Sequence, residues 1–380
     1  METVSVIRCP EYEPSMVEAA IRRALEEIGG IESFINPGDK VLLKLNLLMR
    51  KNPADAVTTH PVFAEALAKI VQRAGGIVTI ADSPGGPYNE TLLKTVYKGC
   101  GISDVAQRLG VNLNYDTSYQ EVPFPKGTQA GAFQIIQPVL EADKIITVPK
   151  LKTHMMTFYS GAVKNLFGCI PGLYKAEYHF SMPQQEDFCN MLLDLCECVR
   201  PVLAVMDGIW GMEGQGPSGG IPRKFGAVLA SASPYALDLA ATRMVGITPQ
   251  EAPTVSLALA RGLCESEVKL TGDPIQELQV ADLVKPPLGT PDFLKRKWLP
   301  EPVSNALNRW LSPKPEFDYQ ICVGCGECVR CCPAKALRLE EKRPVLEADK
   351  CIKCFCCQEL CPKRAIHAKR SWLMRHAVRY

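Results

Sequence analysis

Cys322-Val-Gly-Cys325-Gly-Glu-Cys328-Val-Arg-Cys-Cys332-Pro333 and Cys351-Ile-Lys-Cys354-Phe-Cys-Cys357-Gln-Glu-Leu-Cys361-Pro362 are one pattern written twice. Each reads C-x2-C-x2-C-x3-C-P, and the second copy follows the first at a constant offset of 29 residues. Steps of C-x2-C let one turning loop aim three thiolates at a single cube of iron and sulfide. The fourth cysteine lies too far along the chain to close that cube and reaches the neighbouring one. The spacing therefore assigns Cys322, Cys325, Cys328 and Cys361 to one 4Fe–4S cluster, and Cys332, Cys351, Cys354 and Cys357 to a second.

Competing readings of the cysteines fit less well. Zinc sites use pairs of C-x2-C separated by a longer spacer, not a triplet followed by C-x3-C-P. A disulfide framework suits a small secreted chain, whereas this one runs to 380 residues and starts METVSVIRCPEYEPS, without a basic-then-apolar leader. Cys331 and Cys356, each beside a predicted ligand, are expected to pack against the clusters. Residues 315 to 370 resemble the bacterial two-cluster ferredoxins.

Composition narrows the remainder. With 47% hydrophobic and 22% charged residues, the chain reads as a soluble globular protein of two or three domains. No apolar run approaches the ~20 residues that span a bilayer, so no transmembrane segment is expected and peripheral membrane contact is disfavoured. A formal net charge of +2 argues against nucleic acid as a partner. Residues 315–380 carry 13 Lys+Arg against 8 Asp+Glu, while residues 1–314 carry 30 against 33. Oxidised 4Fe–4S cores with four thiolates are negative, so the basic excess reads as compensation for clusters. Seventeen cysteines point to a reducing, cytoplasmic setting where free thiols survive.

Upstream, apolar strands alternate with amphipathic helices, which predicts an α/β fold: a helix-covered, mostly parallel sheet over residues 1–284. Strands are predicted at Thr3–Ile7, Val41–Leu45, Ile77–Ala81, Lys144–Val148, Val202–Met206 and Ala227–Ala230. A capping box, Ser15-x-x-Glu18, is expected to open a helix through about Ile28. Further helices are predicted at Pro61–Ala74, Gln184–Val199, Pro234–Met244 and Thr254–Leu263. Residues 285–314 form a Pro-rich linker in which Phe293, Trp298, Leu307, Trp310 and Leu311 suggest a docking helix. A small α+β two-cluster domain at 315–370 and a basic tail at 371–380 complete the chain.

Three loops after predicted strands are candidates for ligand binding, because open α/β sheets bind there. They are Ala81–Pro87, Pro149–His154 running into 159–165 and 170–172, and Asp207–Gly220, which holds six glycines in fourteen positions. Glycines in the first would let backbone N–H groups approach an anion at a helix N-terminus. Lys150, Lys152 and His154 crowd positive charge onto one short segment, and Lys164 sits in a Ser-Gly setting. Lys44, inside an apolar run, needs a partner such as Asp82 or a place in the same pocket. His60, before Pro61, reads equally well as a helix cap. No Walker loop and no dinucleotide fingerprint is present.

The stretches VLLKLNLL, TTHP, IADSPGG, VPKLKTH, YSGAVKNLFGCIPG, DGIWGMEGQGPSGG and VLASASPYALDLAA resemble the domain of unknown function 362 family. Its members often carry a C-terminal two-cluster ferredoxin, and the resemblance implies an iron–sulfur protein without implying a substrate. A shorter likeness joins His154, Ser160-Gly161, Lys164 and Pro171-Gly172 to lactate-racemase-like proteins that hold a nickel–pincer nucleotide. Ala162 stands where that group tends to have a second glycine. This implies kinship of fold and site position.

The combined expectation is an iron–sulfur electron-transfer protein with two 4Fe–4S clusters, whose large domain binds a small anionic molecule for redox chemistry. Lys150, Lys152 and Lys164 would clamp the anion, and His154 would donate a proton or ligate. Asp207 or Glu213 would act as base, with Lys44, Asp82, Ser83, Gly85, Gly86, Ser160 and Gly161 completing the pocket. Two other readings stay open: a carrier whose large domain docks a redox partner protein, and a racemase-like isomerase with structural or sensing clusters. Anaerobically reconstituted protein should contain roughly eight irons per chain. Cys325→Ser should lose about half of them by iron and sulfide analysis, and four irons in the wild type would contradict the assignment.

Overall fold

Strand–helix alternation builds one ten-stranded sheet with helices on both faces. The computed structural model describes residues 1–286 and 313–369. The expected docking helix and the basic tail lie outside the described residues.

The first half of the large domain runs β1 (Thr3–Arg8), α1 (Pro14–Glu26), β2 (Lys40–Leu45), α2 (Pro61–Arg73), β3 (Ile77–Ala81), α3 (Glu90–Gly99), α4 (Ile102–Leu109) and β4 (Asn112–Leu113). A hairpin of β5 (Tyr119–Pro123) and β6 (Ala132–Ile136) leads through α5 (Gln137–Leu140) to β7 (Lys144–Val148). Then come β8 (Lys150–His154), β9 (Phe158–Ser160), α6 (Ala162–Asn165), α7 (Tyr174–Ser181) and α8 (Gln185–Val199). Long strands β10 (Leu203–Glu213) and β11 (Ile221–Ser231), helices α9 (Pro234–Met244) and α10 (Pro253–Ala260), and β12 (Lys269–Gly272) close the domain.

Across the sheet the order is β12-β1-β11-β10-β7-β2-β3-β4, with β8 and β9 attached beside β10. The run β10-β7-β2-β3-β4 is parallel, while β11 is antiparallel to both neighbours. Side chains alternate between faces along each strand. Val41, Leu43 and Leu45 of β2 therefore pack with α1 and α2, and Leu42 packs with the opposite cluster around α8 and α9. Lys44 shares the parity of Leu42, which turns its ammonium towards α6.

Two local expectations are corrected. Ser15 does not cap α1: Pro14 occupies the first turn, and the Glu13 side chain accepts from the backbone N–H groups of Ser15 (3.2 Å) and Met16 (2.7 Å). Proline's preset φ favours that earlier start, and Glu18 instead pairs with Arg73. The second and third predicted loops are largely strand. Lys150–His154 forms β8, and Asp207–Glu213 prolongs β10, with Asp207 opposite Lys150 and Met212 opposite Lys152 across a register shift. His60 does cap α2, its ring accepting from Val62 N–H at 3.3 Å.

The small domain repeats in structure as it does in sequence. Its elements are β13 (Lys314–Phe317), α11 (Glu327–Arg330), β14 (Leu337–Glu340), β15 (Arg343–Leu346), α12 (Cys356–Glu359) and β16 (Ile366–Lys369). Adding 29 to β13, α11 and β14 lands on β15, α12 and β16. β13 pairs with β16 and β14 with β15, both antiparallel, so the outer strands of the two half-repeats lie side by side.

Helix α6 has only four residues, too few to be stable alone. Asp238 of α9 holds its start, accepting from Ala162 N–H (2.7 Å), Val163 N–H (3.1 Å) and the Tyr159 hydroxyl (3.1 Å). Burial nevertheless pushes the Asp238 carboxyl up to about 7. Gly161 is what permits the approach, since a Cβ there would overlap Asp238 Oδ1 and Tyr159 Oη. Gly161→Ala should therefore cost about 1–3 kcal/mol in urea unfolding, as overpacking does. A neutral result would show that the contact is soft.

Candidate functional site at the domain junction

Cys322, Cys325, Cys328 and Cys361 line one small cavity of the C-terminal domain, and Cys332, Cys351, Cys354 and Cys357 line another. Backbone N–H groups of Ala336 and Ala365 point at the sulfurs of Cys332 and Cys361, each at 3.2 Å, and Lys353 N–H points at Cys351 Sγ at 3.4 Å. The turns between thiols demand left-handed backbone. Gly324 and Gly326 supply it in the first copy (φ 67° and 75°), whereas Lys353 and Phe355 adopt it in the second (φ 57° and 59°). Non-glycine residues there cost about 1–2 kcal/mol each and persist where surroundings over-determine them. Among the described residues no three His, Cys, Asp or Glu side chains converge on a single ion. Two all-thiol quartets spread around separate cavities, with N–H groups aimed at sulfur, fit polynuclear iron–sulfur clusters.

A larger cavity, about 510 Å³, opens where the two domains meet. Lys152 and His154 of β8, Ser160 of β9, Lys164 and Asn165 of α6, and Lys175 and His179 of α7 contribute one side, with Asp82, Ser83, Gly85 and Gly86 at its margin. Cys331, Cys356, Glu359 and Leu360 of the small domain form the opposite wall. Docking is specific. Ser218 Oγ donates to the Glu359 carbonyl (2.6 Å), Gln358 donates to the Gln215 carbonyl (2.8 Å), and Ala368 N–H donates to Gln215 Oε1 (2.8 Å). Leu360 fills the space beside Gly85, where any Cβ would overlap it.

The buried cations divide into partnered and unpartnered groups. Lys44 pairs with Asp82 at 2.7 Å and donates to the carbonyls of Leu45 and Asn165. Lys150 pairs with Asp207 at 2.9 Å, and Tyr12 bonds both while stacking on His60 at 3.6 Å. Lys150 and Asp207 take no part in lining the junction cavity. Neither does Glu213, which accepts from Val284 N–H (3.1 Å) and faces Arg223, nor Gly161. Both acids expected to serve as base are therefore engaged elsewhere. The N–H groups of Ser83 and Gly85 are likewise spent, on the carbonyls of Gly168 (3.0 Å) and Leu48 (2.7 Å).

Lys152 donates to Asn46 Oδ1 (2.6 Å) and the Val57 carbonyl (2.8 Å). Burial, opposed by Glu359 and reinforced by Lys164 and Lys150, brings it down to about 7. Burial also brings Lys175 to about 7, and it donates to the Ser83 carbonyl and hydroxyl. Lys164 differs. It is 8% exposed, has no hydrogen bond or ion pair among the described residues, and holds its ammonium 4.6 Å from the Phe167 ring centroid.

His154 has a defined polarity. Its Nδ1 accepts from Met156 N–H (3.0 Å) and Thr157 N–H (3.3 Å), so the neutral ring carries its proton on Nε2. Burial, then the charge of Lys164, holds its pKa far below the usual histidine value. Nε2 is buried without a hydrogen-bond partner, and Glu359 Oε2 lies 3.8 Å away, so that contact is not an ion pair. The ring is a hydrogen-bond donor facing the cavity, poorly disposed to ligate a metal through Nε2.

Lys175, His179, Asn165 and Glu359 were not expected from sequence. Lys175 and His179, four apart on α7, carry a helical-face signal, but Glu359 is hidden inside a cysteine motif. His179 stacks on Phe188 at 4.3 Å, and burial holds it down to about 3.

Sequence comparison agrees with the two-part architecture. The profile described as Domain of unknown function (DUF362) matches residues 41–243, and that of the 4Fe-4S dicluster domain matches 314–362. A thylakoid-associated protein of Synechocystis sp. is 34% identical over 278 residues, or 71% of this chain and 83% of that protein. The lactate racemase apoprotein of Thermoanaerobacterium thermosaccharolyticum aligns at 12% identity and TM-score 0.38, over 64% of this chain and 56% of that one. A structural-genomics protein from Thermotoga maritima aligns at 13% and 0.37, over 66% and 60%. The chain thus spans less than two thirds of either solved structure. No described helix is long and apolar enough to cross a membrane.

Asp82→Ala strands the Lys44 charge and should cost about 3–5 kcal/mol in urea unfolding. Lys164→Met removes an unpaired buried charge and should leave stability unchanged or raised. Because Lys152 is held low in the fold, wild-type stability should climb as pH rises from about 7 towards 10.5. Lys152→Met should lower the slope of that limb between pH 7 and 9 and leave the share of Lys175, which is also held at about 7.

Proposed function

Because the chain belongs to the domain of unknown function 362 family and carries a 4Fe–4S dicluster domain, we propose that it is a two-cluster electron-transfer protein holding a small anionic metabolite or cofactor at its domain junction for redox chemistry. One cluster is assigned to Cys322, Cys325, Cys328 and Cys361, and the other to Cys332, Cys351, Cys354 and Cys357. When bound, the clusters supply single electrons at potentials tuned by burial and N–H···S bonds.

The observation that carries the reading is the cavity wall. Cys331 and Cys356, each adjacent in sequence to an assigned ligand, line the same cavity as Lys164 and His154. A molecule held there sits against the loops of the second cluster. Lys164 and protonated Lys152 attract its negative charge, and His154 Nε2–H donates to an oxygen on it. Burial of Lys152, Lys164 and His154 strengthens each of these interactions. A carrier that only docks protein partners has no use for an unpaired buried ammonium. An isomerase would need a base, a role open to Lys152 or Lys175 at about 7 but not to His154, which is arranged as a donor. Reduction would come from a redox partner protein, in the reducing cytoplasm that seventeen mostly buried thiols suit.

In an anaerobic redox titration followed by EPR, both clusters should cycle. Adding a small carboxylate should alter the signal assigned to Cys332, Cys351, Cys354 and Cys357 at least as much as the other, since Cys331 and Cys356 adjoin the former and Glu327 adjoins Cys328. His154→Ala with Lys164→Met should abolish that response. Clusters that never change oxidation state would end the proposal.

A further inference from the structure

Resting on the redox reading of the junction cavity, we propose that its ligand carries two negative charges, as a dicarboxylate or a phosphate monoester does, and is held by Lys152, Lys164 and Lys175 together.

Charges around the cavity do not balance without such a ligand. Of the carboxylates lining it, Asp82 is matched by Lys44 and Glu327 by Arg330. Glu359 is then set against Lys152, Lys164 and Lys175, none of which makes an ion pair among the described residues. Lys152 donates to Asn46 and Val57, and Lys175 to Ser83 and Pro84. Those partners are neutral, so they orient the ammonium groups and leave their charge in place. With all three lysines protonated, the site keeps two positive charges beyond what Glu359 cancels. Unmatched charge in a buried site is strongly disfavoured, and a dianion matches it. The clusters, negative when oxidised, have their own counter-charge, because residues 315–380 carry 13 Lys+Arg against 8 Asp+Glu.

Unspent polar groups line the same space. His154 Nε2 and His179 Nδ1 are buried without a hydrogen-bond partner, and the Ser160 hydroxyl makes no bond among the described residues. His154, His179 and Ser160 are 2%, 3% and 6% exposed. Glu359 Oε2, 3.8 Å from His154 Nε2, disfavours an anionic group at that nitrogen. The charged oxygens therefore fall to the three lysines, Ser160 and a His179 ring with its proton on Nδ1, and His154 donates to a neutral oxygen of the ligand.

Protons follow the ligand in. Burial holds Lys152 at about 7, with Lys164 and Lys150 pushing the same way and Glu359 and Asp82 opposing. Burial likewise holds Lys175 at about 7, aided by Lys44 and Lys164 and opposed by Asp82 and Cys169. Two negative charges beside them favour the ammonium forms. A dianion thus takes up protons on binding and binds more weakly as pH rises from about 7 to about 9.

Anaerobic calorimetric titration of the full-length, cluster-loaded protein at about pH 8 tests this with two probe pairs, each alike in shape and differing by one charge. They are succinate with succinamate, and phenyl phosphate with phenyl sulfate; Leu92, Phe167, Leu173 and Leu360 offer the phenyl group an apolar wall. In at least one pair the dianion should bind on the order of 10- to 100-fold tighter, the worth of one more charge-assisted hydrogen bond. Which pair shows the preference separates a dicarboxylate from a phosphate. Lys164→Met and Lys175→Met should each weaken the dianion more than its monoanionic partner, and Lys164→Arg should restore most of the loss. Proton uptake, read from binding heats in buffers of different ionisation enthalpy, should be larger for the dianion. An unchanged visible spectrum of each variant verifies that the clusters survive. Lys164-dependent binding with no dianion preference in either pair would overturn the ligand class while leaving an anionic redox site. If no probe binds in a lysine-dependent way, both this class and the anionic-site reading fail.

Discussion

The buried pair of Lys44 and Asp82 is the fastening on which the junction depends. Lys44 Nζ reaches both Asp82 and the carbonyl of Asn165, and Asn165 returns bonds from its amide to the Lys44 carbonyl and Thr147. With Asp238 at the other end, these groups clamp a single helical turn between two layers of the domain. Lys164 stands inside that clamp, its ammonium over the Phe167 ring and its side chain lining the cavity. The sheet contributes the geometry upstream: β2, β3 and β7 run parallel in register, so Lys44, Ala81 and Thr147 are adjacent and Asp82 follows at once.

Lysines of one chemical type thus play opposite parts. Lys44 and Lys150 are matched by carboxylates and tie strands together. Lys164 is unmatched, and Lys152 is charge-depleted by burial. Burying ammonium groups whose counter-charge, Glu359, makes no ion pair with them costs stability, which natural chains concede at sites of function. The His154 ring extends the same logic. Two backbone N–H groups at Nδ1 aim its one proton at the cavity, so the direction of donation is set by the fold.

Neither domain contains this arrangement alone. The large domain offers cations and a donor, and the small one offers the wall that bears Cys331, Cys356 and Glu359. Docking bonds join Gln215 and Ser218, in the Gly-rich turn after β10, to Gln358, Glu359 and Ala368, while Lys51 and Asp55 meet the Pro362 carbonyl and Arg364. That turn, read from sequence as a ligand loop, serves to bring the cysteine domain to the site.

Much of this was legible before any coordinates. Local spacing suffices for the cysteine quartets, because three thiols on one turn constrain each other through a few bonds of chain. The same holds for strands and helices whose hydrophobic period is regular, and for the need of Lys44 for a partner, since an apolar strand cannot tolerate it otherwise. The roles of Lys150, Asp207 and Glu213 were not legible. Charge density along the chain cannot say whether a lysine meets a carboxylate from a strand 57 residues away, as Lys150 does, or lies over an aromatic ring without an ion pair among the described residues, as Lys164 does. Glu359 was hidden for a similar reason: it lies outside the large domain's sequence and enters the site only when the two folds dock. Residue type and spacing thus dictate the chemistry available. Which groups are left without partners depends on contacts between distant segments that exist only once the chain has folded.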